Sequence, residues 1–429
     1  MFSQFTYWLS AAISISLFIW YCRSKYFTIV GPVFWYFIFH MLVFVVRPLG
    51  VIYGGFGTVF DYMKFSPTDD DKAMTFIVAI VGLLVFLPCA FWGGAGDRWS
   101  FADIPQVRRR VWVQVLVGAL CLSPWILYSV YISMSGQVQG ERIGGTYILT
   151  NTTGYVIDAQ GMLLPFGLII IVISRFRWWS YIPIGIYFTF VTIYERTRWQ
   201  LVVGSLALYL LYCVFRARRI KKLPVVIVLP IILILFALKG LNREIYMELL
   251  LLHDTTGLNN ITKGMTLRDQ LDTQDFANYE YLTYIVHMVP RETHTYLYFS
   301  QWLQIFTEPI PRILWPEDLW GGKPVGAPLA SHFFDLNDYG NFIGLTPSLL
   351  GDGWLSLGWV GEIITVGISS YILGRLHRYA CTQTSRPLFC IGYCILIALL
   401  FQFFRDGGIS IFKFVMFALA PVWILAYFE

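Results

Sequence analysis

The sequence has 429 residues, of which 57% are hydrophobic and only 13% are charged, about half the charged share of a typical soluble protein. This composition excludes a water-soluble globular fold. The formal net charge of +5 does not indicate a nucleic-acid partner, because the basic residues are divided among short loops instead of forming one solvated patch. Uninterrupted apolar blocks of roughly 17 to 25 residues match the length that an α-helix needs to cross a membrane.

Eleven apolar segments in chain order are predicted transmembrane helices of a single polytopic domain, 1–429. They cover residues 2–22, 27–49, 73–92, 111–133, 155–173, 178–195, 199–215, 223–239, 350–373, 387–404 and 408–428. The first segment lacks the basic start and the cleavage site of a signal peptide, so we interpret it as a retained helix. The seven cysteines lie in or beside these segments without a CxxC pair, which argues against disulfides and a thiolate metal site. The fold class is therefore an all-α integral membrane protein.

Five connecting loops are basic, and walking along the predicted helices places all five on one side of the membrane. They contain Arg23 and Lys25; Arg98 and Arg108 to Arg110; Arg175 and Arg177; Arg216, Arg218, Arg219, Lys221 and Lys222; and Arg375, Arg378 and Arg386. The positive-inside rule makes this side cytoplasmic. It predicts a multi-pass membrane protein with its N-terminus on the outer side and its C-terminus on the cytoplasmic side.

One outer loop, residues 240–349 between the eighth and ninth predicted helices, is much longer than the others. Structureless loops beyond about 12–15 residues are uncommon in compact domains, so we expect this one to be folded and functional. Within it, the segments 278–289 and 293–306 are rich in aromatic and aliphatic residues, and a proline follows each. We predict two short amphipathic helices lying on the membrane surface.

Charged residues at the outer boundary are the first functional candidates, because the positive-inside bias leaves few of them there. Arg196 and Arg198 occupy a tight turn between two apolar spans, and Arg405 with Asp406 occupy another. A third outer loop carries Glu141 and Arg142. Each arginine could simply reach lipid phosphate or pair locally. Several together suit a pyrophosphate, since a guanidinium binds phosphate oxygens in a bidentate manner.

The long loop and the segment after it supply further candidates. Arg312 and Lys323 lie in a stretch rich in proline and tryptophan, which would present them from a rigid backbone. Asp352, among glycines at the start of a predicted helix, is the candidate general base, although it could instead cap a helix or pair with an arginine. His294 and His332 are secondary candidates, and either could simply be solvated.

Three segments resemble bacterial O-antigen polymerases of the Wzy type: residues 311–324 (PRILWPEDLWGGKP), 344–361 (GLTPSLLGDGWLSLGWVG) and 404–407 (FRDG). The predicted layout of eleven spans with a large periplasmic loop is similar as well. The resemblance implies a metal-independent, GT-C-like glycosyltransferase without a cofactor, located in the bacterial inner membrane with its active site facing the periplasm. Its substrate would be an oligosaccharide linked to undecaprenyl pyrophosphate, and membrane lipids and a chain-length regulator would be its partners.

The resemblance further implies that outer-face arginines hold the pyrophosphates, which maps onto Arg196, Arg198, Arg312 and Arg405. Lys323 and Arg142 join this predicted group from their position alone. The predicted catalytic group contains Asp352, Arg405 and Asp406. The family pattern has a glutamate where this chain has Asp352, a shorter acid, which leaves the identity of the base open.

Two other functions fit much of the pattern. An O-antigen ligase would share the topology and the leaving group but deliver the chain to lipid A core, and it should place a loop histidine beside the arginines. A lipid-linked oligosaccharide flippase would instead carry its charges along a central cavity in mid-span. A membrane acyltransferase fits less well, because it would need a histidine deep in the bundle facing a thioester, and only His40 is available for this role.

Overall fold

A computed structural model of the chain describes residues 2–61, 63–99, 109–135, 140–143, 146–149, 156, 158–194, 199–217, 276–303 and 346–427. Its helices are α1 (Phe2–Arg23), α2 (Pro32–His40), α3 (Arg47–Tyr53), α4 (Asp69–Gly93), α5 (Arg109–Ser135), α6 (Leu163–Ile173), α7 (Ile182–Tyr194), α8 (Trp199–Leu211), α9 (Asn278–Met288), α10 (Ser348–Thr382), α11 (Pro387–Asp406) and α12 (Gly408–Tyr427). A π-helical turn, Met41–Val46, joins α2 to α3. One two-stranded antiparallel hairpin, β1 (Gly140–Ile143) and β2 (Thr146–Leu149), follows α5.

Among the described residues, seven helices are long and apolar enough to cross a membrane. They are α1, the continuous segment Pro32–Tyr53, α4, α5, Trp199–Arg216, α10 and α11. Ala159–Ile173 and Phe414–Leu425 are shorter apolar helices. The chain is thus a predominantly helical, multi-pass membrane protein, as predicted. The predicted span 223–239 lies outside the described residues.

Helix α4 shows how local sequence sets the limits of a span. Thr68 caps its first turn in a capping box, in which the Thr68 hydroxyl accepts the Asp71 amide and the Asp71 carboxylate accepts the Thr68 amide. Three acidic residues follow the cap, where they complement the positive end of the helix dipole. Gly94 ends the helix with a φ of 113°, a left-handed conformation that favours glycine. The 25 residues of α4 span about 37 Å.

Basic loops meet at one end of the bundle, which we call the basic end. A Cβ added to Gly96 would lie 2.9 Å from the Tyr26 ring, so the loops after α1 and after α4 are in contact. The Arg378 guanidinium lies 3.5 Å from the Asp97 carboxylate, which adds the loop after α10. Three of the five predicted basic loops therefore share one end, as their sequence predicts.

Helix α10 contains a sharp reversal. Leu357 (φ −165°, ψ 37°) and Gly358 (φ 59°, ψ −135°) leave the helical conformation and divide the helix into two arms, α10a (residues 348–356) and α10b (residues 359–382). The prediction of a span here is confirmed, but its start is wrong. The continuous helix begins after the reversal, because only α10b, at about 36 Å, is long enough to cross the membrane by itself.

The two arms of α10 pack with their backbones in contact. A Cβ added to Gly353 would lie 2.6 Å from the Glu362 Cα, and one added to Gly361 would overlap the Gly353 carbonyl oxygen. In a continuous helix, residues 353 and 361 would be about 12 Å apart. Two glycines, one on each arm, therefore permit the arms to fold against each other.

Helix α9 confirms one predicted helix of the long loop but corrects its position. Nine of its eleven residues are buried, including Asn278, Glu280 and Thr283, so it is enclosed by protein and does not lie on a membrane surface. Its Thr283 hydroxyl pairs with Thr75 of α4 at 3.0 Å. The second predicted amphipathic helix, 293–306, is wrong over its described part, which forms turns ending in the short 3-10 helix Ser300–Leu303.

The turn between α11 and α12 lies deeper than the sequence predicts. The Phe404 ring, one residue before Arg405, lies 5.5 Å from that of Phe86 on α4. Phe86 is only about 10 Å from the basic end of α4 and about 25 Å from its opposite end. Phe404 also lies 6.1 Å from Phe39, in the first half of the Pro32–Tyr53 span. Arg405 and Asp406 thus lie within the depth of the bundle and not at its outer boundary.

The starting point of α11 explains this depth. Tyr393, in the second turn of α11, donates its hydroxyl to the Val30 carbonyl at 3.0 Å and lies 2.6 Å from His377 Nδ1. These contacts belong to the basic end, so α11 begins beyond it. Its 20 residues, about 30 Å long, therefore stop short of the opposite end.

Candidate active site

The α11–α12 turn brings Asp352 against residues 407 and 408. Gly407 has a φ of 85°, and a Cβ at this position would overlap the Asp352 carboxylate, so both its conformation and its space require glycine. The Gly408 amide donates to Asp352 Oδ2 at 3.1 Å. Asp352 on α10a therefore caps the first residue of α12, where a carboxylate is favoured by the helix dipole.

Asp406 is held by three donors. Its Oδ1 accepts from Arg405 Nε at 2.8 Å and from the Thr346 hydroxyl at 2.7 Å, and its Oδ2 accepts from the Gln402 amide. The side chains of Arg405 and Asp406 are 21% and 12% exposed, respectively. Asp406 therefore orients the Arg405 guanidinium, and its bonded oxygens make it a weaker candidate base than the sequence suggests.

Asp352 keeps one oxygen available. Its Oδ2 is fixed by the Gly408 amide, whereas its Oδ1 makes no hydrogen bond to any residue that the structure describes. The residue is only 4% exposed, and its backbone carbonyl accepts from Gln301 Nε2 at 3.1 Å. The alternative that Asp352 caps a helix is thus observed, and the free oxygen leaves a role as base open.

Two side-chain amides, which are not among the predicted site residues, connect the long loop to this cluster. Asn278 Nδ2 donates to the carbonyls of Thr346 at 3.0 Å and of Arg405 at 2.9 Å. Gln301 Nε2 donates to Asp352 and to the Ser356 hydroxyl. Asn278 and Arg405 are 127 residues apart in sequence, so no local pattern could have paired them.

The remaining predicted site residues are not brought to this cluster by the described structure. Arg196, Arg198, Arg312, Lys323 and His332 lie outside the described residues. Glu141 and Arg142 lie on β1, opposite Ile148 and Tyr147 of β2. His294 lies on an exposed turn with a φ of 53°, and no contact between it and Asp352, Arg405 or Asp406 is described.

A second group of charges, also missed from sequence, lies at the end of the Pro32–Tyr53 span. Arg47 is 2% and Glu280 0% exposed, and their side chains approach to 2.8 Å. Arg47 also donates to the Gly57 carbonyl at 2.7 Å. This buried pair fastens α3 to α9, because separating its partners would leave an uncompensated charge inside the protein.

A histidine on α9 lies between charged groups. This residue is His287, and its Nδ1 atom is 3.0 Å from Asp71 Oδ1 and 3.1 Å from Arg291 NH1. Of the two predicted loop histidines, His294 has no described contact with an arginine, and His332 lies outside the described residues. His377, another buried histidine, lies at the basic end, where its two ring nitrogens are bonded to the Tyr393 hydroxyl and to the Asp97 carbonyl.

A half-open cavity of about 420 Å³ adjoins the start of α4, within the range of about 300–1,000 Å³ typical of small-molecule pockets. Polar and aromatic side chains line it, among them Ser3, Thr58, Asp69, Lys72, Phe76 and Tyr279. Burial raises the pKa of the Tyr279 phenol, which keeps its hydroxyl protonated. Among the described residues no three His, Cys, Asp or Glu side chains are grouped to hold a metal ion.

Comparison of the sequence with protein-family models finds no match, and comparisons with curated proteins and with solved structures find none either.

Proposed function

We propose that the chain is a polysaccharide polymerase of the bacterial inner membrane. It transfers a growing glycan from undecaprenyl pyrophosphate to a sugar hydroxyl of a lipid-linked repeat unit, at the periplasmic face. The observation that carries this proposal is the contact of Asp352 with the turn after Arg405 and Asp406. Two sequence segments that resemble O-antigen polymerases, 344–361 and 404–407, thereby meet in one charged cluster inside an apolar bundle.

The proposed reaction assigns one task to each charged group. The sugar hydroxyl attacks the anomeric carbon of the growing chain, the carbon–oxygen bond to the carrier breaks, and polyprenyl pyrophosphate leaves with the electron pair. Asp352 Oδ1 accepts the hydroxyl proton. The Arg405 guanidinium, oriented by Asp406, stabilises the negative charge that develops on the leaving group. Arg196, Arg198, Arg312, Lys323 and Arg142 remain the proposed further contacts to pyrophosphate.

The depth of the cluster supports a substrate-binding role, a feature that the flippase alternative shares, so deletion of the gene is needed to distinguish the two functions. Charged side chains inside a membrane protein are expensive and mark substrate or ion pathways. In a purely structural pair the two charges offset this cost by pairing with each other and are closed off from solvent, as in Arg47 and Glu280, which are 2% and 0% exposed. Arg405 differs, because its side chain is 21% exposed although it is paired with Asp406. This accessible face is where a phosphate oxygen would bind.

Deletion of the gene tests the function directly. Gel analysis of the surface polysaccharide should show lipid A core carrying a single repeat unit, because ligation continues without polymerisation. A ligase would instead leave core without any attached sugar while polymer accumulates on the lipid carrier. A flippase would leave repeat units on the cytoplasmic side and none on the core. Either of the last two patterns would overturn the proposal.

Exchange of Arg405 for lysine separates phosphate recognition from simple charge. Lysine keeps the positive charge but loses the planar fork that binds phosphate in a bidentate manner. Hydrogen bonds to charged groups contribute about 1.5–3 kcal/mol, so polymer formation should fall about ten- to a hundredfold. Polymer is quantified on gels, and protein abundance in the membrane is quantified by immunoblot.

Arg378→Lys is the matched control for this exchange. Arg378 is also paired with an aspartate, Asp97, but its side chain is 56% exposed at the basic end. Its lysine variant should retain full activity. Full activity in Arg405→Lys as well would show that Arg405 contributes charge alone, and the pyrophosphate assignment would then be wrong.

A further inference from the structure

Glu362 carries an ionisable side chain at the centre of an apolar bundle, and the proposed reaction does not use it. Helix α10b turns one face outward, exposing Ile363 and Ile368, and the opposite face carries Glu362, which is 0% exposed. Its carboxylate adjoins Gly82 of α4. Gly82 is about 20 Å from the start of α4 and about 17 Å from its end, which is mid-depth.

Polar atoms without partners gather around this carboxyl group. Neither oxygen of Glu362 has a hydrogen-bond partner among the described residues, and the same holds for the Tyr36 hydroxyl and the Thr365 hydroxyl. Glu362 Oε1 and Tyr36 Oη lie 3.1 and 3.4 Å, respectively, from the position that a Cβ on Gly82 would occupy. Thr365 follows Glu362 by three residues and thus shares its helix face.

An ionised carboxylate without a partner would cost many kcal/mol in such surroundings. The titratable groups on the packed elements do not offset this cost. Tyr36 on α2 is neutral, and the His40 ring on the same helix is directed to the Ser14 hydroxyl at 3.0 Å. Asp352 on α10a would add negative charge, and α4 presents Gly82 at this point. On α11, Arg405 and Asp406 are paired with each other.

We propose that Glu362 forms an intramembrane proton-binding site: the carboxyl group holds a proton, and the hydroxyl groups of Tyr36 and Thr365 share its hydrogen bonds through bound water. The ligand class is therefore a proton with water, bound at mid-depth between α2, α4 and α10. A protonated carboxyl supplies a donor for the unpaired hydroxyl oxygens and removes the cost of a buried charge.

The site is coupled to the arm that carries Asp352. The Glu362 Cα touches Gly353, and the Leu350 side chain lies against Gly82 beside the carboxyl. We call the described arrangement, in which α10a packs against α10b, closed, and one in which α10a moves away and admits water, open. Water in the open arrangement would allow the Glu362 carboxyl to ionise. The closed arrangement therefore binds the proton more tightly, so lowering the pH favours the closed arrangement and raising the pH favours the open one. This inference stands independently of the polymerase proposal.

Infrared difference spectroscopy of the full chain in lipid nanodiscs tests the site. The wild-type protein should show the carbonyl stretch of a protonated carboxyl at neutral pH, and Glu362→Gln should lack it. Glu292→Gln, which changes an exposed glutamate on the turn after α9, should keep the band. Tyr36→Phe removes one hydroxyl and should shift the band without abolishing it, which provides a second measurement if the Gln variant fails to fold.

Two results would overturn the inference. A wild-type spectrum without a band that depends on Glu362 would mean that the carboxyl is ionised. A band that appears only when Na⁺ is replaced by choline would identify a cation in place of the proton. Hydrogen exchange measured by mass spectrometry tests the coupling: between mildly acidic and mildly alkaline buffer, peptides covering 346–358 should gain exchange in the wild type beyond the gain seen in Glu362→Gln. Equal gains in both proteins would contradict it.

Discussion

Asp352→Asn is expected to abolish polymer formation while lipid-linked repeat units still bind. The asparagine side-chain oxygen can still accept the Gly408 amide, which Asp352 Oδ2 accepts at 3.1 Å, so α12 stays capped. The amide cannot take a proton from the sugar hydroxyl, and general-base catalysis contributes typically about 10²–10⁴-fold. Polymer length on gels and retention of radiolabelled repeat units by the purified variant measure the two effects separately.

Asp97→Asn is the control for this exchange, because Asp97 is an aspartate at the basic end whose side chain is 46% exposed. It should leave polymer formation unchanged. If Asp352→Asn loses substrate binding together with activity, Asp352 acts only as the cap that positions the turn. If it retains long polymer, Asp352 is not the base, and Glu141 and Asp406 become the next candidates.

The sequence predicted the seven described helices that are long and apolar enough to cross a membrane, and it predicted the two segments that form the charged cluster. Long apolar blocks and the basic loops carry a strong signal, because membrane thickness and the positive-inside rule act on composition alone. Charge at a tight outer turn indicated Arg405 and Asp406, the glycine-rich start of a predicted helix indicated Asp352, and the resemblance pointed to the same segments. The hydrogen bond to Gly408 brings these segments together. What the sequence could not provide is depth, since the positive-inside rule assigns a side of the membrane and not a distance from its surface.

The missed features depend on contacts between distant segments. An amphipathic pattern in α9 suits a membrane surface as well as a partner helix, and only its packing beside Thr75 distinguishes them. The reversal of α10 requires Gly358 at a φ of 59°, but a glycine in an apolar block fits a straight span equally well. Arg47 and Glu362 did carry a signal in the sequence, because each is a charged residue inside an apolar block.

Gly361→Ala is expected to lower the stability of the folded protein and to prevent polymer formation. A methyl group at this position would overlap the Gly353 carbonyl oxygen, and the overlapping atom is backbone that cannot rotate away. Overpacking of this kind costs typically about 1–3 kcal/mol. The arms of α10 would separate, which displaces Asp352 from the α11–α12 turn. Thermal unfolding in detergent and polymer on gels measure the two consequences.

Gly367→Ala, on the same arm, provides the matched control. A Cβ there would lie 3.7 Å from the nearest described atoms, the Cys89 sulfur and a Val85 methyl, which is an ordinary packing distance. Within a helix, alanine is favoured over glycine by about 1 kcal/mol, so this variant should unfold at the same temperature as the wild type or higher. The same methyl group thus has opposite effects six residues apart because only Gly361 faces α10a. Equal stability of the two variants would show that the arms are not in contact, and the positioning of Asp352 by the reversal of α10 would be wrong.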